Sequence, residues 1–245
     1  MSQSPRVSML SQFMRGTSRK IQRLFGAELI YPYMKEREVD IITEILLNNK
    51  PKRCLEYGSG YSTLYFPRFL DRDAKWISIE HEHGWHKLIE QKLKEDPMVD
   101  YHCVPPNADE WEGDGTYEQF KDYVDYPKSL GGKFDFILVD GRARTDCAIQ
   151  MLEQLSEDGI LLMHDANRSK YHFALSGYAF NKIIEDHRKN AGGFAFAAHK
   201  PIADFLDVEK HARIWKKGAR VSNVFKFKYL LGKKSKSFRL HEYKG

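Results

Sequence analysis

The 245-residue chain has little cysteine: Cys54, Cys103 and Cys147, an odd and scattered set. That excludes a disulfide-stapled scaffold, and no paired metal-type spacing joins them, so they read as reduced core thiols in a cytoplasmic protein. No apolar run approaches the roughly 18 residues that span a bilayer. The opening "MSQSPRVSML" has no apolar stretch of the secretory kind. No internal repeat is visible. Acidic charge is missing from both ends. Residues 1–25 hold five Lys/Arg and no Asp/Glu, and residues 208–245 hold twelve Lys/Arg against Glu209 and Glu242. The span between has an excess of ten acidic charges, although the whole chain is +5. Basic ends on an acidic body suit an anionic surface or substrate, and solvated polar termini explain them equally well.

Three regions follow: a basic amphipathic extension over 1–33, a central domain over 34–207 and a basic extension over 208–245, packed on or trailing that domain. In residues 8–25, Leu10, Phe13, Met14, Ile21, Leu24 and Phe25 recur at helical spacing opposite a basic face. Such a helix docks on the body, on a second subunit of a homo-oligomer, or peripherally on the inner face of a membrane. Residues 34–48 predict a second helix, ended by Asn-Asn-Lys-Pro.

Strands and helices then alternate. Strands are expected at 53–57, 75–80, 99–104, 134–140 and 159–165, with helices at 84–95 and 145–157. Near-continuous apolar strands alternating with helices predict an α/β fold: a mostly parallel central sheet of about seven strands with helices on both faces. Helical structure with a break at Gly177 is expected over 169–190, and "GGFAFAA" and "IADFLDV" are candidates for the last strands. Residues 105–132 form a long connection containing Trp111, Tyr117, Tyr123 and Tyr126, either an acceptor lid or aromatic packing.

In open parallel sheets, ligands bind at the carboxyl ends of the strands, where the strand order reverses. Glu56, Glu80, Asp140 and Asp165 fall at those ends. After the first strand comes "EYGSGYST". Gly58 and Gly60 let a backbone come close to a ligand, and Ser62 or Thr63 is placed to cap the next helix. Glu80, twenty residues after Gly60, is placed to accept from a ribose diol. A dinucleotide site would put a third glycine where Thr63 stands. Glu56, two residues before Gly58, would repel a pyrophosphate and attract an amino or sulfonium cation. That combination favours S-adenosylmethionine (SAM).

The segments "LEYGSGYSTLYF", "ISIEHEHGWH", "FDFILVDGRART" and "GILLMHDANR" resemble those of class I SAM-dependent methyltransferases over residues 35–170. They are most similar to bacterial members with L-E-x-G-S-G-x-S-T, S-I-E-H and V-D-G-R-x-R, and more distantly to xylan-type glucuronate O-methyltransferases. The resemblance implies a Rossmann-like methyltransferase fold. It implies that Glu56, Gly58 and Gly60 hold the methionine end of SAM, with Ser62 and Thr63 alongside. Glu80 would hold the ribose, with His81 beside it, and Asp140 and Gly141 would border the methyl group.

For a hydroxyl acceptor, His164, Asp165 and Asp140 are the candidate bases. Arg142 and Arg168 suit an acidic acceptor, a uronate in a glycan or a small anion. Mg²⁺ is not favoured. Related O-methyltransferases ligate it with an Asp after strand four and an Asp-Asp or Asp-Asn pair after strand five, where this chain has Asp165-Ala166 and lacks one ligand unless Asn167 replaces it. His81, His83 and His86 do not match zinc spacing, and Pro67 is expected inside the helix after the loop. No recognisable nucleic-acid module is present. A second class of function remains open: a methyltransferase-fold scaffold that docks on membrane or polyanion through its basic ends without catalysis.

Overall fold

The computed structural model describes residues 30–94, 96–166, 168–185, 193–201 and 239–241. The expected N-terminal amphipathic helix and the strand at 202–208 lie outside them. The helices are α1 (Glu36–Asn49), α2 (Tyr61–Tyr65), α3 (His83–Leu93), α4 (Lys121–Ser129) and α5 (Arg144–Gln150). The strands are β1 (Arg53–Tyr57), β2 (Lys75–Glu80), β3 (Val99–Cys103), β4 (Phe134–Val139), β5 (Leu155–His164), β6 (Phe180–Glu185), β7 (Phe194–Ala198) and β8 (Arg239–His241).

One sheet runs β3-β2-β1-β4-β5-β7-β6-β8. The first five strands are parallel, and β7 runs antiparallel to both β5 and β6. The short β8 pairs antiparallel with β6, so part of the basic C-terminal segment joins the sheet edge. The chain moves outward through β1, β2 and β3, then returns to the other side of β1 to lay down β4. The order therefore reverses between β1 and β4, and a crevice opens beyond their carboxyl ends.

Two apolar layers cover the sheet, as the two-residue strand period demands. Leu55, Tyr57, Ile77, Ile79, Ile137, Val139, Leu161 and Met163 face one layer, with α4 and α5. Cys54, Trp76, Phe136, Leu138, Ile160 and Leu162 face the other, packed under Val39, Ile42, Ile45 and Leu46 of α1. Burying each such side chain contributes about 1.5–3 kcal/mol, which holds the strand ends, and thus the site, in fixed register.

The structure departs from the expected elements in four places, the first two through long-range strand pairing. The helix expected at 145–157 stops at Gln150, because Leu155 pairs with Phe134 and starts β5 early. The helix expected over 169–190 is a 3₁₀ turn (Ser169–Leu175) followed by β6. In β6, Ile183 and Ile184 serve opposite layers and pair with β7. The long connection is not structureless: it holds a 3₁₀ turn (Glu118–Phe120) and α4, which carries Pro127 within it. Pro67 does not kink a long helix. The helix ends at Tyr65, and Pro67 lies in the first turn of a separate 3₁₀ segment (Phe66–Phe69), where its missing N–H is no loss.

Candidate functional site

Gly58 follows β1 with φ +86, and a Cβ there would stand 2.5 Å from the Cα of Gly141. A Cβ on Gly141 would in turn strike the Tyr123 hydroxyl and the Gly58 amide. The loops after β1 and β4 touch backbone to backbone. The sequence reading gave this glycine to a ligand's approach; in the structure its smallness first serves the contact between loops. Together the two loops floor a cleft of about 420 Å³ lined by Gly58, Ser59, Glu80, His81, Glu82, Trp85, Asp140, Gly141, Arg142 and Arg144. That volume falls in the range of small-molecule sites. A cavity of similar size at the opposite ends of β1–β3 has cations already engaged: Lys52 with Asp71 and Asp73, Arg53 with the carbonyls of Leu130 and Gly131, and Lys75 with Pro97.

Glu80 ends β2 at the cleft wall, 3% exposed. Its Oε2 accepts from the Ser59 amide (2.9 Å) and hydroxyl (2.8 Å), and its Oε1 from the amides of His81 (2.8 Å) and Glu82 (2.9 Å). His81 Nδ1 also lies 2.8 Å from Oε1, a charge contact not aligned as a hydrogen bond. Burial alone would raise this carboxyl, but His81 and the amides hold it below the usual range, so it is ionised. Trp85 seals the cleft's edge by donating from Nε1 to the Ser59 carbonyl at 2.9 Å. Behind His81, the rings of Trp111, Phe120 and Tyr123 pack at 5.6–5.9 Å. The aromatics of the long connection thus form a packed wall.

Glu56, expected beside a ligand's amino group, does not line the cleft. It is fully buried beneath the glycine loop. Oε2 accepts from Thr63 (2.7 Å), Trp76 Nε1 (2.9 Å) and Ser78 (2.9 Å), while Oε1 has no hydrogen-bond partner. Burial pushes its carboxyl up to about 7, against the pull of bonds from Ser62, Thr63, Trp76 and Ser78. Ser62 and Thr63 are not N-caps either. The cap position is Gly60, whose amide donates to Thr63 Oγ1 at 3.0 Å, so Thr63 ties the loop down to Glu56. Both side chains lie under the loop, away from the cleft wall.

Across the cleft, Arg144 organises the carboxyl ends of β4 and β5. It is 8% exposed. Its guanidinium donates to the carbonyls of Asp140 (3.1 Å), Gly141 (3.0 Å) and His164 (2.7 Å), and lies 3.2 Å from Asp140 Oδ1 and 3.6 Å from Asp165 Oδ2. Its amide donates to Asp114 at 3.0 Å. Arg168 adds a 3.0 Å contact to Asp165. Arg142 reaches the Gly113 carbonyl at 3.2 Å, and the guanidinium beside Asp140 is that of Arg144. Ala143 and Asp165 both adopt left-handed backbone, φ 46 and 59, where only Asp is at ease. Holding Ala143 there turns the chain sharply so that Arg144 can point back at β4.

His164 does not fit an open general base. Nδ1 lies 2.9 Å from Asp140 Oδ1 and Nε2 lies 3.2 Å from Glu38 Oε2, so neither ring nitrogen is free to take a proton. Burial lowers its pKa, but the two carboxylates outweigh this and lift it to about 10. In turn burial raises Asp140, while His164, Arg144 and Arg168 bring it below the usual range. Asp140 therefore faces the cleft ionised.

Gly58, Glu80, His81, Asp140, Gly141 and Arg142 meet at the cleft wall. Glu56, Gly60, Ser62, Thr63, His164 and Asp165 are not among the residues that line it. Sequence reasoning gave no role to Glu38, Ser59 or Asp114, and it passed over Arg144 in favour of Arg142. Ser59 carried a signal, its place between the two glycines. Glu38, 126 residues from His164, carried none.

Among the described residues no cluster of three metal-ligating side chains is present, and Asp140 Oδ1 and Asp165 Oδ2 already face the Arg144 guanidinium, so the donor set suits Mg²⁺ poorly. An S-adenosyl nucleoside fits better, with an ionised carboxylate at the end of β2, a glycine turn against β4 and an aromatic edge.

No protein-family model and no curated protein matches the chain. Among solved structures it is similar to the O-methyltransferase TomG from Streptomyces achromogenes, involved in tomaymycin synthesis and in complex with SAM. That match has 16% identity and a TM-score of 0.51, and covers 81% of this chain and 99% of that one. It is also similar to the O-methyltransferase from Bacillus cereus in complex with SAH, with 12% identity, a TM-score of 0.54 and coverage of 80% and 92%. At such identities the likeness establishes the Rossmann-like methyltransferase fold alone.

Proposed function

We propose that the protein is a SAM-dependent methyltransferase acting on the hydroxyl of a sugar or other small anionic acceptor. The observation that carries this reading is the placement of two carboxylates, Glu80 at the end of β2 and Asp140 after β4, in one cleft at the strand-order reversal of this fold. Glu80 would hold the ribose hydroxyls once the Ser59 hydroxyl turns away toward Tyr101, already 2.6 Å distant. The cofactor supplies a methyl group on a sulfonium for in-line transfer. Asp140 accepts the hydrogen bond of the acceptor hydroxyl and orients it. With its pKa held low, Asp140 is a weak base: alignment is its main contribution, and it takes the hydroxyl proton, then passes it to solvent, as the new C–O bond forms and the S–CH₃ bond breaks to leave the neutral thioether.

Arg142 and the half-exposed Arg168 favour an acidic acceptor. Tyr33, 80% exposed, packs at 5.1 Å on Tyr61, the residue after the glycine loop, and offers a flat face to a sugar ring. Calorimetry with S-adenosylhomocysteine (SAH) tests the cofactor. We expect saturable heat, weakened about 10- to 100-fold in Glu80→Gln, because bonds to a charged acceptor are worth roughly 1.5–3 kcal/mol. An absence of heat in the native protein rejects the reading.

A further inference from the structure

Glu38 is the third residue of α1, where its carboxylate accepts from the amide of Lys35 at the helix's N-cap and reaches beyond it to the imidazole of His164. It sits on the apolar side of α1, 1% exposed, among Val39, Ile41 and Ile42. An acid in such a place is costly unless it answers another polar group. Its Oε2 accepts from the Lys35 amide at 2.8 Å and faces His164 Nε2 at 3.2 Å. Its Oε1 has no hydrogen-bond partner, with Lys35 Nζ 3.9 Å away.

On the far side of the imidazole stands Asp140, the one member of this row that lines the cleft. A ring nitrogen facing a carboxylate is bound only when it carries a proton. An imidazole between two carboxylates is therefore held as imidazolium. The other groups around the row are Arg144, which contacts Asp140 and the His164 carbonyl, Asp165, which Arg144 also contacts, and the uncharged ring of Phe194, 5.4 Å from the imidazole. Asp140 Oδ1 is thus taken by His164 and Arg144, and its second oxygen lies outside the network.

We propose that Glu38 is a positioning residue: it fixes the His164 ring with both nitrogens protonated, and the imidazolium in turn holds Asp140 ionised and pinned through Oδ1, with its other oxygen left for the acceptor hydroxyl. This rests on the methyltransferase reading above. Glu38 is buried and does not line the cleft, so its removal changes the charge state of the row and leaves the nucleoside part of the cleft intact.

The test follows His164 ring-nitrogen and Asp140 carboxyl NMR signals against pH in the full chain, native and Glu38→Gln, beside SAH calorimetry on both. The native imidazole is expected doubly protonated at pH 8. In Glu38→Gln its midpoint falls by at least one unit, a tenfold loss of proton affinity. The Asp140 midpoint rises, and SAH affinity stays within twofold. A native His164 that is neutral at pH 8 overturns the proposal without any variant. A His164 midpoint unmoved by Glu38→Gln reduces Glu38 to a structural role and also overturns it. Missing SAH heat in the native protein defeats the methyltransferase reading, and the positioning role with it, whatever the imidazole does.

Discussion

The two flanks of the cleft satisfy their carboxylates in opposite ways. On the β1–β2 flank, Glu80 takes its hydrogen bonds from the amides of Ser59, His81 and Glu82 and from the Ser59 hydroxyl. On the β4–β5 flank, Asp140 and Asp165 face the buried cations Arg144 and His164. The first arrangement can trade a hydroxyl for a ligand's hydroxyl, since like replaces like. The second cannot release a partner without stranding a charge in low dielectric. One flank is built to exchange partners, the other to stay fixed while they exchange.

The sharpest break of that contrast is Arg144→Ala. It removes the cation between Asp140 and Asp165 and unbinds the carbonyls of Asp140, Gly141 and His164. Losing one side of such a buried pair costs about 3–5 kcal/mol. Urea unfolding at neutral pH should show a loss of that size. A loss below about 1 kcal/mol would mean that the flank is not locked and that water reaches those carboxylates freely.

A nearly equal effect is expected within the β1–β2 flank, where Glu56 and Glu80 differ. Both acids lie toward the carboxyl ends of neighbouring parallel strands. Glu80 is held below the usual range, whereas Glu56, fully buried, has only neutral donors on one oxygen and is pushed up to about 7. A carboxyl whose pKa is higher folded than unfolded binds its proton more tightly in the folded state. Stability is therefore full below the unfolded value near 4.5 and declines as pH rises through about 7. At 1.36 kcal/mol per unit the decline is on the order of 3 kcal/mol. Glu56→Gln keeps an oxygen for Thr63, Trp76 and Ser78 and carries no charge. Its unfolding free energy should lose most of the pH 4.5–7 slope and exceed the native value at pH 8. An identical slope in both proteins would remove Glu56 as its source.

The same division explains what could be read from the chain. The strand ends, the glycine turn and Glu80 lie within about 25 residues, and each follows from a local rule: apolar run, tight turn, acid at the next strand end. The arginine and imidazole network needs Glu38, Asp114, Asp140 and His164 to meet from four distant segments, and nothing local distinguishes Glu38 from a surface acid on an amphipathic helix. Glu56 was misplaced for a related reason. Its charge suggested a ligand, but its neighbours Trp76 and Ser78 come from the next strand and draw it under the loop. The strand β6 was lost to a helix expectation because only its pairing with β7 and β8 defines it.

The smallest expected effect probes exchange itself. Ser59 Oγ bridges Glu80 Oε2 at 2.8 Å and Tyr101 Oη at 2.6 Å. If a ribose hydroxyl takes the place of Ser59 Oγ on Glu80, binding must first break one neutral–charged bond that Ser59→Ala never makes. The Ser59 amide still donates to Oε2 in the variant, so the loop keeps its anchor. A bond to a charged acceptor is worth about 1.5–3 kcal/mol, but a displaced Ser59 hydroxyl keeps Tyr101, so only part of that is recovered and SAH binding should tighten roughly 2- to 10-fold in calorimetry. Tyr101 then loses its own partner, which limits the gain. A tenfold weakening instead would show that the Ser59 hydroxyl is itself a ligand group, and that this flank binds by addition and not by exchange.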